Sequence, residues 1–463
     1  MRYLFQVLLL VSVSNLYGQH HGDVWMFGSN SGFDFSACVP MPIQSSNIGF
    51  EECSTISNDN GELLFYTNSD NVWNKNNILM PNGSMIYNSS GSLSQVLIIP
   101  KPESSNLYYI FTTAVQGGNT FQYHTVDMTL DGGLGDLVST NTIIYNAPIT
   151  EQVAATYHSN GVDIWVLTHE YGTNNFLSFL VTNSGVNPVP IVSSIGPAHQ
   201  QCFSSTNARG QIKFSPDGKK IAFNANGVGG NTLTNILSIF DFDNNSGLIS
   251  NPINLPFSGG EFGLSFSSDN SKLYGGTWKA IGFPANTYNQ LYQFDLSSNN
   301  AQTIIGSKQI IDSTWAPYGS IKLAPDGKIY VRIGTEIGVI NSPNLNGSAC
   351  NYNSQAFVIG GNNGGQYGLN NYIEYTQYCS TNSIEEADLN REIQIFPNPA
   401  SETLTISLPE NASTTECILF DNLGKEMKRF SVFGGENLVD ISELENGVYS
   451  MRIGSDIQKI IIE

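Results

Sequence analysis

His169-Glu170 sets an imidazole beside a carboxylate, the pair with which zinc-assisted hydrolysis often begins. A zinc-binding helix needs a second histidine one turn later, and none follows; the preceding Trp165-Val166-Leu167-Thr168 reads as a strand. Asp241-Phe242-Asp243-Asn244-Asn245-Ser246-Gly247 offers oxygen ligands at alternate positions, as a calcium loop does. Its glycine comes one place late and Pro252 stands where the closing glutamate belongs, so a hairpin turn is expected. If the chain is cleaved after Gly18, Gln19-His20-His21 would present an amine and a third-position imidazole to copper or nickel, an arrangement that cyclisation of Gln19 abolishes. Asp70, Glu151 and Glu261 are candidates for acid–base work, although nothing in the linear sequence places them together. No Gly-x-Ser-x-Gly elbow occurs, and Arg209 and Arg332 are the only arginines between residues 19 and 379. Two arginines are too few for the multi-arginine clamp that holds a substrate carboxylate. The expectation is a chain with no metal and no cofactor.

Binding needs less than catalysis, and the aromatic residues offer it. Trp278 and Trp315 fall in loops, where they stack on sugars or proteins or else pack between neighbouring sheets. Trp25, Trp73 and Trp165 lie on strand patterns and are expected in the core. The six cysteines are unevenly placed. Cys38 with Cys53, and Cys350 with Cys379, are the expected disulfides; Cys202 and Cys417 are expected as buried thiols.

The elements that must carry these residues are short strands joined by tight polar turns. Hairpins recur around Asn60-Gly61, Ser105-Asn106, Asn160-Gly161, Asp217-Gly218, Asn270-Ser271 and Asp326-Gly327, and successive turns stand 45 to 57 residues apart. Asn-Gly and Asp-Gly supply the positive φ that two-residue hairpins need. That period suits a four-stranded propeller blade. Seven blades are expected, with six the alternative, and one blade combines Asn371 to Tyr375 with Val24 to Gly28. No window shows the apolar recurrence of an amphipathic helix, so the chain is all-β. Ile212-Lys213-Phe214-Ser215-Pro216-Asp217-Gly218-Lys219-Lys220-Ile221-Ala222-Phe223, echoed by Ala324-Pro325-Asp326-Gly327-Lys328-Ile329-Tyr330, is similar to the repeat of TolB-like and other WD40-like propellers.

Charge and hydropathy narrow the setting. With 19 Lys plus Arg against 39 Asp plus Glu, the net charge is -20, which disfavours nucleic acid as a partner. Leu4 to Val13 is an apolar run behind Arg2, and Gly18 offers a small residue for cleavage, so residues 1–18 read as a signal peptide. No later run has eighteen apolar residues, and no transmembrane segment is expected in the mature chain. Residues 19–379 form the expected propeller. Residues 380–392, polar, acidic and free of aromatics, form a linker.

Residues 393–463 read as a separate small all-β module. Phe396-Pro397-Asn398-Pro399-Ala400 opens on Leu404-Thr405-Ile406; Leu419-Phe420-Asp421-Asn422-Leu423-Gly424-Lys425 and Asp440-Ile441-Ser442-Glu443-Leu444 follow; Asn446-Gly447-Val448-Tyr449-Ser450-Met451-Arg452-Ile453 leads to a last apolar strand. Together these resemble the type A C-terminal sorting domain of the type IX secretion system of Bacteroidota. The resemblance implies a small immunoglobulin-like β-sandwich, with Pro397, Asn398, Pro399, Gly424, Gly447, Val448 and Tyr449 as the sorting-signal positions. It also implies Sec-dependent passage through the periplasm, recognition by the type IX machinery, removal of the module, and cargo that is released or attached to surface lipopolysaccharide. Phe396 stands where tyrosine is commoner, and Glu463 replaces a basic tail. The function expected is a secreted or cell-surface propeller that binds a protein or glycan without catalysis, the alternative being a propeller-based polysaccharide lyase or glycoside hydrolase.

Overall fold

The computed structural model describes residues 20–462 except 29, 48, 50–52, 87–94, 200–207, 226–235, 257–259, 279–287, 360–366, 375–393, 409–413, 422–424 and 454–455. The expected signal peptide and the expected linker lie outside the described residues. Two compact units divide the chain, Met1–Ser380 and Thr381–Glu463. Among the described residues no helix is long and apolar enough to cross a membrane.

In the first unit the described residues form seven antiparallel sheets that follow one another along the chain. The first holds β1 (Val24–Phe27), β2 (Ser31–Asp34) and β3 (Met41–Gln44); the second, β4 (Ser54–Ser57), β5 (Leu63–Thr67) and β6 (Val72–Asn74). The third runs β7 (Val96–Pro100), β8 (Leu107–Thr113), β9 (Phe121–Asp127) and β10 (Asp136–Tyr145). The fourth has β11 (Ala154–Tyr157), β12 (Ile164–His169) and β13 (Asn175–Thr182), with β14 (Gly185–Val186) and β15 (Ile191–Ser194) both paired to β13. The fifth is β16 (Ile212–Phe214), β17 (Lys220–Ala225), β18 (Ile236–Asp243) and β19 (Leu248–Asn254). The sixth is β20 (Glu261–Phe266), β21 (Lys272–Thr277), β22 (Asn289–Asp295) and β23 (Gln309–Thr314). The seventh is β24 (Tyr318–Leu323), β25 (Ile329–Ile333), β26 (Glu336–Ile340) and β27 (Tyr352–Val358). Outside the fourth sheet, strand order follows chain order, and tight turns make several of the connections. At two of these turns Gly218 and Gly327 take φ of 67° and 75°, which a side chain rarely adopts.

Burial grades from the first strand of each sheet to the last. β11, β16 and β24 are almost wholly buried, whereas β10, β23 and β27 are mostly open to solvent. First strands of neighbouring sheets approach one another, as β4 does β7 and β20 does β24. Apolar layers fill the space between successive sheets. Leu97, Phe111 and Phe121 of the third meet Val166, Leu177 and Phe179 of the fourth, and Trp165 and Phe176 of the fourth meet Phe214, Phe223 and Phe240 of the fifth. Trp25, Phe27 and Phe33 of the first sheet share a layer with Tyr330, Ile337 and Val339 of the seventh. The unit is β-propeller-like.

Two expectations fail here. Over its described residues, 371–374, the expected strand Asn371 to Tyr375 lies outside every ladder; Asn370 makes an isolated parallel bridge to Cys53, and the first sheet begins at β1. The disulfides are also absent. Cys38, in a left-handed turn with φ of 59°, is a free thiol, so it is not joined to the buried Cys53; Cys350, buried in the apolar layer beside Tyr274, is free as well. Cys379 and Cys202 lie outside the described residues. Closeness in sequence brought Cys38 near Cys53 along the chain, but a disulfide needs Cβ atoms facing each other within about 4 Å. Cys417 is a buried thiol, as expected.

The second unit is a sandwich of two antiparallel sheets. One is ordered β28 (Gln394–Phe396), β29 (Thr403–Leu408), β32 (Gly435–Asp440); the other is β31 (Glu426–Val432), β30 (Thr415–Phe420), β33 (Gly447–Ile453), β34 (Asp456–Ile462). Period-two alternation builds it: Leu404, Ile406 and Leu408 face inward against Leu419, Tyr449, Met451 and Ile453, while Thr403, Thr405 and Ser407 face outward.

Candidate functional site

In the first unit a network of amide side chains links the starts of several sheets. A glutamine stands one or two residues before the first strand of the third, fourth and fifth sheets. Gln95 Nε2 donates to Gly210 O at 2.6 Å, and Gln95 Oε1 accepts from Val153 N at 3.2 Å. Gln152 Nε2 donates to Asn224 O at 2.6 Å. Gln211 Nε2 donates to Ser320 Oγ at 3.0 Å, and Gln211 Oε1 accepts from Leu264 N at 2.9 Å. These bonds join the start of the third sheet to the start of the fifth, and the start of the fifth to the first strand of the seventh.

The segment after Leu369 fastens this centre. Asn371 Nδ2 donates to Val96 O and to Val153 O, each at 3.1 Å, while Asn371 O accepts from Ser54 Oγ at 2.6 Å. Asn370 Oδ1 accepts from Thr55 N at 2.7 Å. Tyr372 OH donates to Leu323 O at 2.7 Å, and Lys322 Nζ pairs with Glu374 Oε1 at 2.8 Å, both side chains almost fully buried. Residues 370–374 thus strap the second, third, fourth and seventh sheets together. Arg332, buried on β25, has its guanidinium pushed down to about 10 by desolvation.

The carboxylates singled out from sequence are dispersed. Glu151 is buried before β11, with Oε2 4.0 Å from Arg209 Nε. Asp70 stands half-buried in the β5–β6 turn, and the side chain of Glu261 lies outside the described residues. His169 is in the core, with Phe223 stacked on it at 4.8 Å and His199 at 5.5 Å between ring centroids. Burial pushes the His169 imidazole well below its usual range, and His199 adds to the effect. His20 and His21 bond Asp23 and Asp59 at 2.7 and 2.9 Å. Asp243 caps its own turn, accepting from Asn245 N and Ser246 Oγ, which hold its carboxyl below the usual range. Among the described residues no group of three or more His, Cys, Asp or Glu is arranged to hold a metal ion.

The two loop tryptophans occupy the same end of the sixth sheet. Trp278, half-buried just after β21, is wedged between Tyr367 and Phe262, with centroids at 4.2 and 5.3 Å. Trp315, between β23 and β24, is 60% exposed and lies 4.2 Å from the ring of Tyr288, itself 46% exposed, at an interplanar angle of 40°. Trp315 was legible as a loop aromatic. Tyr288 was not, since nothing in sequence pairs the two rings. The glutamines were signalled: Gln95-Val96, Gln152-Val153 and Gln211-Ile212 repeat at the same phase of successive units.

In the second unit the described residues expected as sorting-signal positions lie near the last strand, β34, which pairs with the strand that carries Gly447, Val448 and Tyr449. Pro397, Asn398 and Pro399 are exposed, with cis bonds preceding both prolines. Asn398 Oδ1 accepts from Ile461 N at 2.8 Å, and Ala400 forms a parallel bridge with Ile462, so the segment docks on the last strand. Tyr449 is buried and its OH donates to Glu445 O at 2.7 Å; Gly447 opens β33 and Val448 faces solvent. Gly424 lies outside the described residues.

No curated protein matches the chain. Among solved structures it is similar to a putative 6-phosphogluconolactonase from Bacteroides fragilis (14% identity, 86% of this chain and 100% of that one, TM-score 0.41). It is also similar to PorZ, described as a bacterial surface component of the type-IX secretion system of Porphyromonas gingivalis (11% identity, 94% and 62% covered, TM-score 0.38). A third likeness is to the BP39L lectin of Burkholderia pseudomallei (11% identity, 95% and 98% covered, TM-score 0.40). Likenesses of this size carry no inference about ligand or chemistry. The family that matches is the secretion system C-terminal sorting domain, over residues 394–463. Those residues are a type IX sorting domain, and the chain is therefore directed to the cell surface or outside the cell.

Proposed function

We propose that this chain is an exported, non-catalytic binding protein. Its first unit is a closed seven-bladed propeller that engages an extracellular protein or glycan, and its second unit is the address read by the type IX machinery after Sec-dependent passage and then removed. The observation that carries the reading is the sorting domain at residues 394–463, a unit with its own apolar core. Its exposed Pro397, Asn398, Pro399 and Val448 contribute little to that core and are available for recognition. Binding is favoured over hydrolysis because the centre of the first unit is filled by amide side chains bonded to backbone, while Glu151 is buried against Arg209. Propellers bind through loops gathered at one end of a rigid frame. Deleting residues 392–463 and fractionating the producing cells tests the export reading: the truncated chain is retained in the periplasm, and its appearance in the medium would refute the address.

A further inference from the structure

The outer faces of the two sheets in the second unit are finished differently. On the sheet β31-β30-β33-β34, Ile418 alternates with the core residues Cys417 and Leu419 and so points outward, yet it is buried. Arg429 and Arg452 stand directly opposite it on the two neighbouring strands, and long arginine stems so placed cover apolar surface. Arg429 also pairs with Glu416 at 2.8 Å and Glu426 at 2.7 Å, while Arg452 lies over the ring of Phe420 at 5.9 Å. On the sheet β28-β29-β32 the register instead sets Phe396, Thr405 and Leu438 in one row across the three strands. Their neighbours Ile395, Ile406 and Val439 face the core, so the row faces outward. Phe396 is 42% exposed and Leu438 74%. With adjacent strands about 4.8 Å apart, the row spans roughly 10 Å. It continues into the exposed Pro397-Asn398-Pro399, which follows Phe396 directly. Along the same face of β32, the exposed Glu436 and Asp440 stand on either side of Leu438, and Lys428 Nζ donates to Asp440 O at 2.5 Å.

We propose that Phe396, Thr405 and Leu438 form the surface by which the sorting domain docks on the type IX machinery, against an apolar cleft with a cationic rim, an inference that rests on the export reading above. The partner follows from the family: residues 394–463 are a type IX sorting domain, so the machinery is what this unit must meet. The face follows from the chemistry. A single exposed leucine is ordinary. A leucine and a phenylalanine aligned across one sheet, contiguous with the expected sorting-signal segment, make a flat apolar strip of the kind that anchors an interface. Covering that strip removes apolar area from water, whereas covering the other face would desolvate the ion pairs of Arg429.

The test is made on the full chain in the producing cells, by immunoblot of medium and periplasm, with deletion of residues 392–463 as the reference for failed export. Leu438→Lys lowers the secreted fraction about tenfold or more, the scale of losing a central interface anchor, and unprocessed chain accumulates in the periplasm. Leu438→Ile keeps most of the secretion. So does Met427→Lys, which sets the same charge at an exposed apolar position of the other sheet. Glu436→Lys lowers secretion, but less than Leu438→Lys. The purified full-length Leu438→Lys chain resists proteinase K as long as the wild type does, because the side chain it alters is exposed. Wild-type secretion of Leu438→Lys, with the truncated chain retained, would overturn the surface and leave the address standing. Secretion of the truncated chain would overturn the export reading itself. An equal loss in Met427→Lys or Leu438→Ile, or lost protease resistance in Leu438→Lys, would overturn the assignment of this face. Wild-type secretion of Glu436→Lys would overturn the cationic rim.

Discussion

Replacing Asn371 by alanine removes two buried hydrogen bonds at the centre of the first unit and leaves the carbonyls of Val96 and Val153 without that donor. Each buried acceptor left unsatisfied costs about 1–3 kcal/mol, so the substitution should destabilise the unit by roughly 2–5 kcal/mol. Asn371→Asp should cost more, because a carboxylate would then face two carbonyl oxygens. The assay is urea unfolding of the intact chain followed by tryptophan fluorescence. All five tryptophans precede residue 380, so the signal reports the first unit even though the second unfolds separately. Asn341→Ala, which removes an exposed bond to Asn351 O, is the control and should cost under about 1 kcal/mol. If Asn371→Ala matched that control, the strap would not be a fastener and the account of the centre would be wrong.

Lys322→Met strands Glu374 in the interior and should cost about 3–5 kcal/mol in the same assay, whereas Lys322→Met with Glu374→Leu should regain most of it. His124 is buried on β9 and desolvation pushes its imidazole down to about 4. As pH falls, the unfolded chain takes up this proton first, so the stabilisation is complete above pH 6.5 and is lost toward pH 4, up to roughly 3 kcal/mol. His124→Gln should flatten the dependence of unfolding free energy on pH in that window, and an unchanged slope would assign the acid sensitivity elsewhere. Asn398→Ala frees Ile461 N and should cost the second unit about 1 kcal/mol, with a fall in the secreted fraction measured by immunoblot of the medium.

The strands were legible because turn chemistry and alternation are local. Asp217-Gly218 and Asp326-Gly327 mark hairpins whatever surrounds them, and Leu404, Ile406 and Leu408 announce a half-buried strand by themselves. The sorting domain was legible for the same reason. What failed depended on distance. Asn371 to Tyr375 was expected as a strand of a composite blade, yet the side chains of Asn371 and Tyr372 serve as fasteners to sheets far away in sequence. Cys38 and Cys53 were close along the chain but differ in environment, one in a half-exposed turn and the other buried. Tyr288 joined Trp315 only through the pairing of β22 with β23.

The strap also orders events in time. Asn371 meets partners 218, 275 and 317 residues earlier in the chain, so its bonds form only after almost the whole first unit exists. Contacts of such separation form slowly, because the loop they close must be ordered first. A chain delivered amino end first cannot finish this unit until residue 374 has been delivered, and the sorting domain begins only at residue 394. Completion of the cargo and presentation of its address therefore fall close together, which limits the interval in which an unfinished propeller could be offered for export.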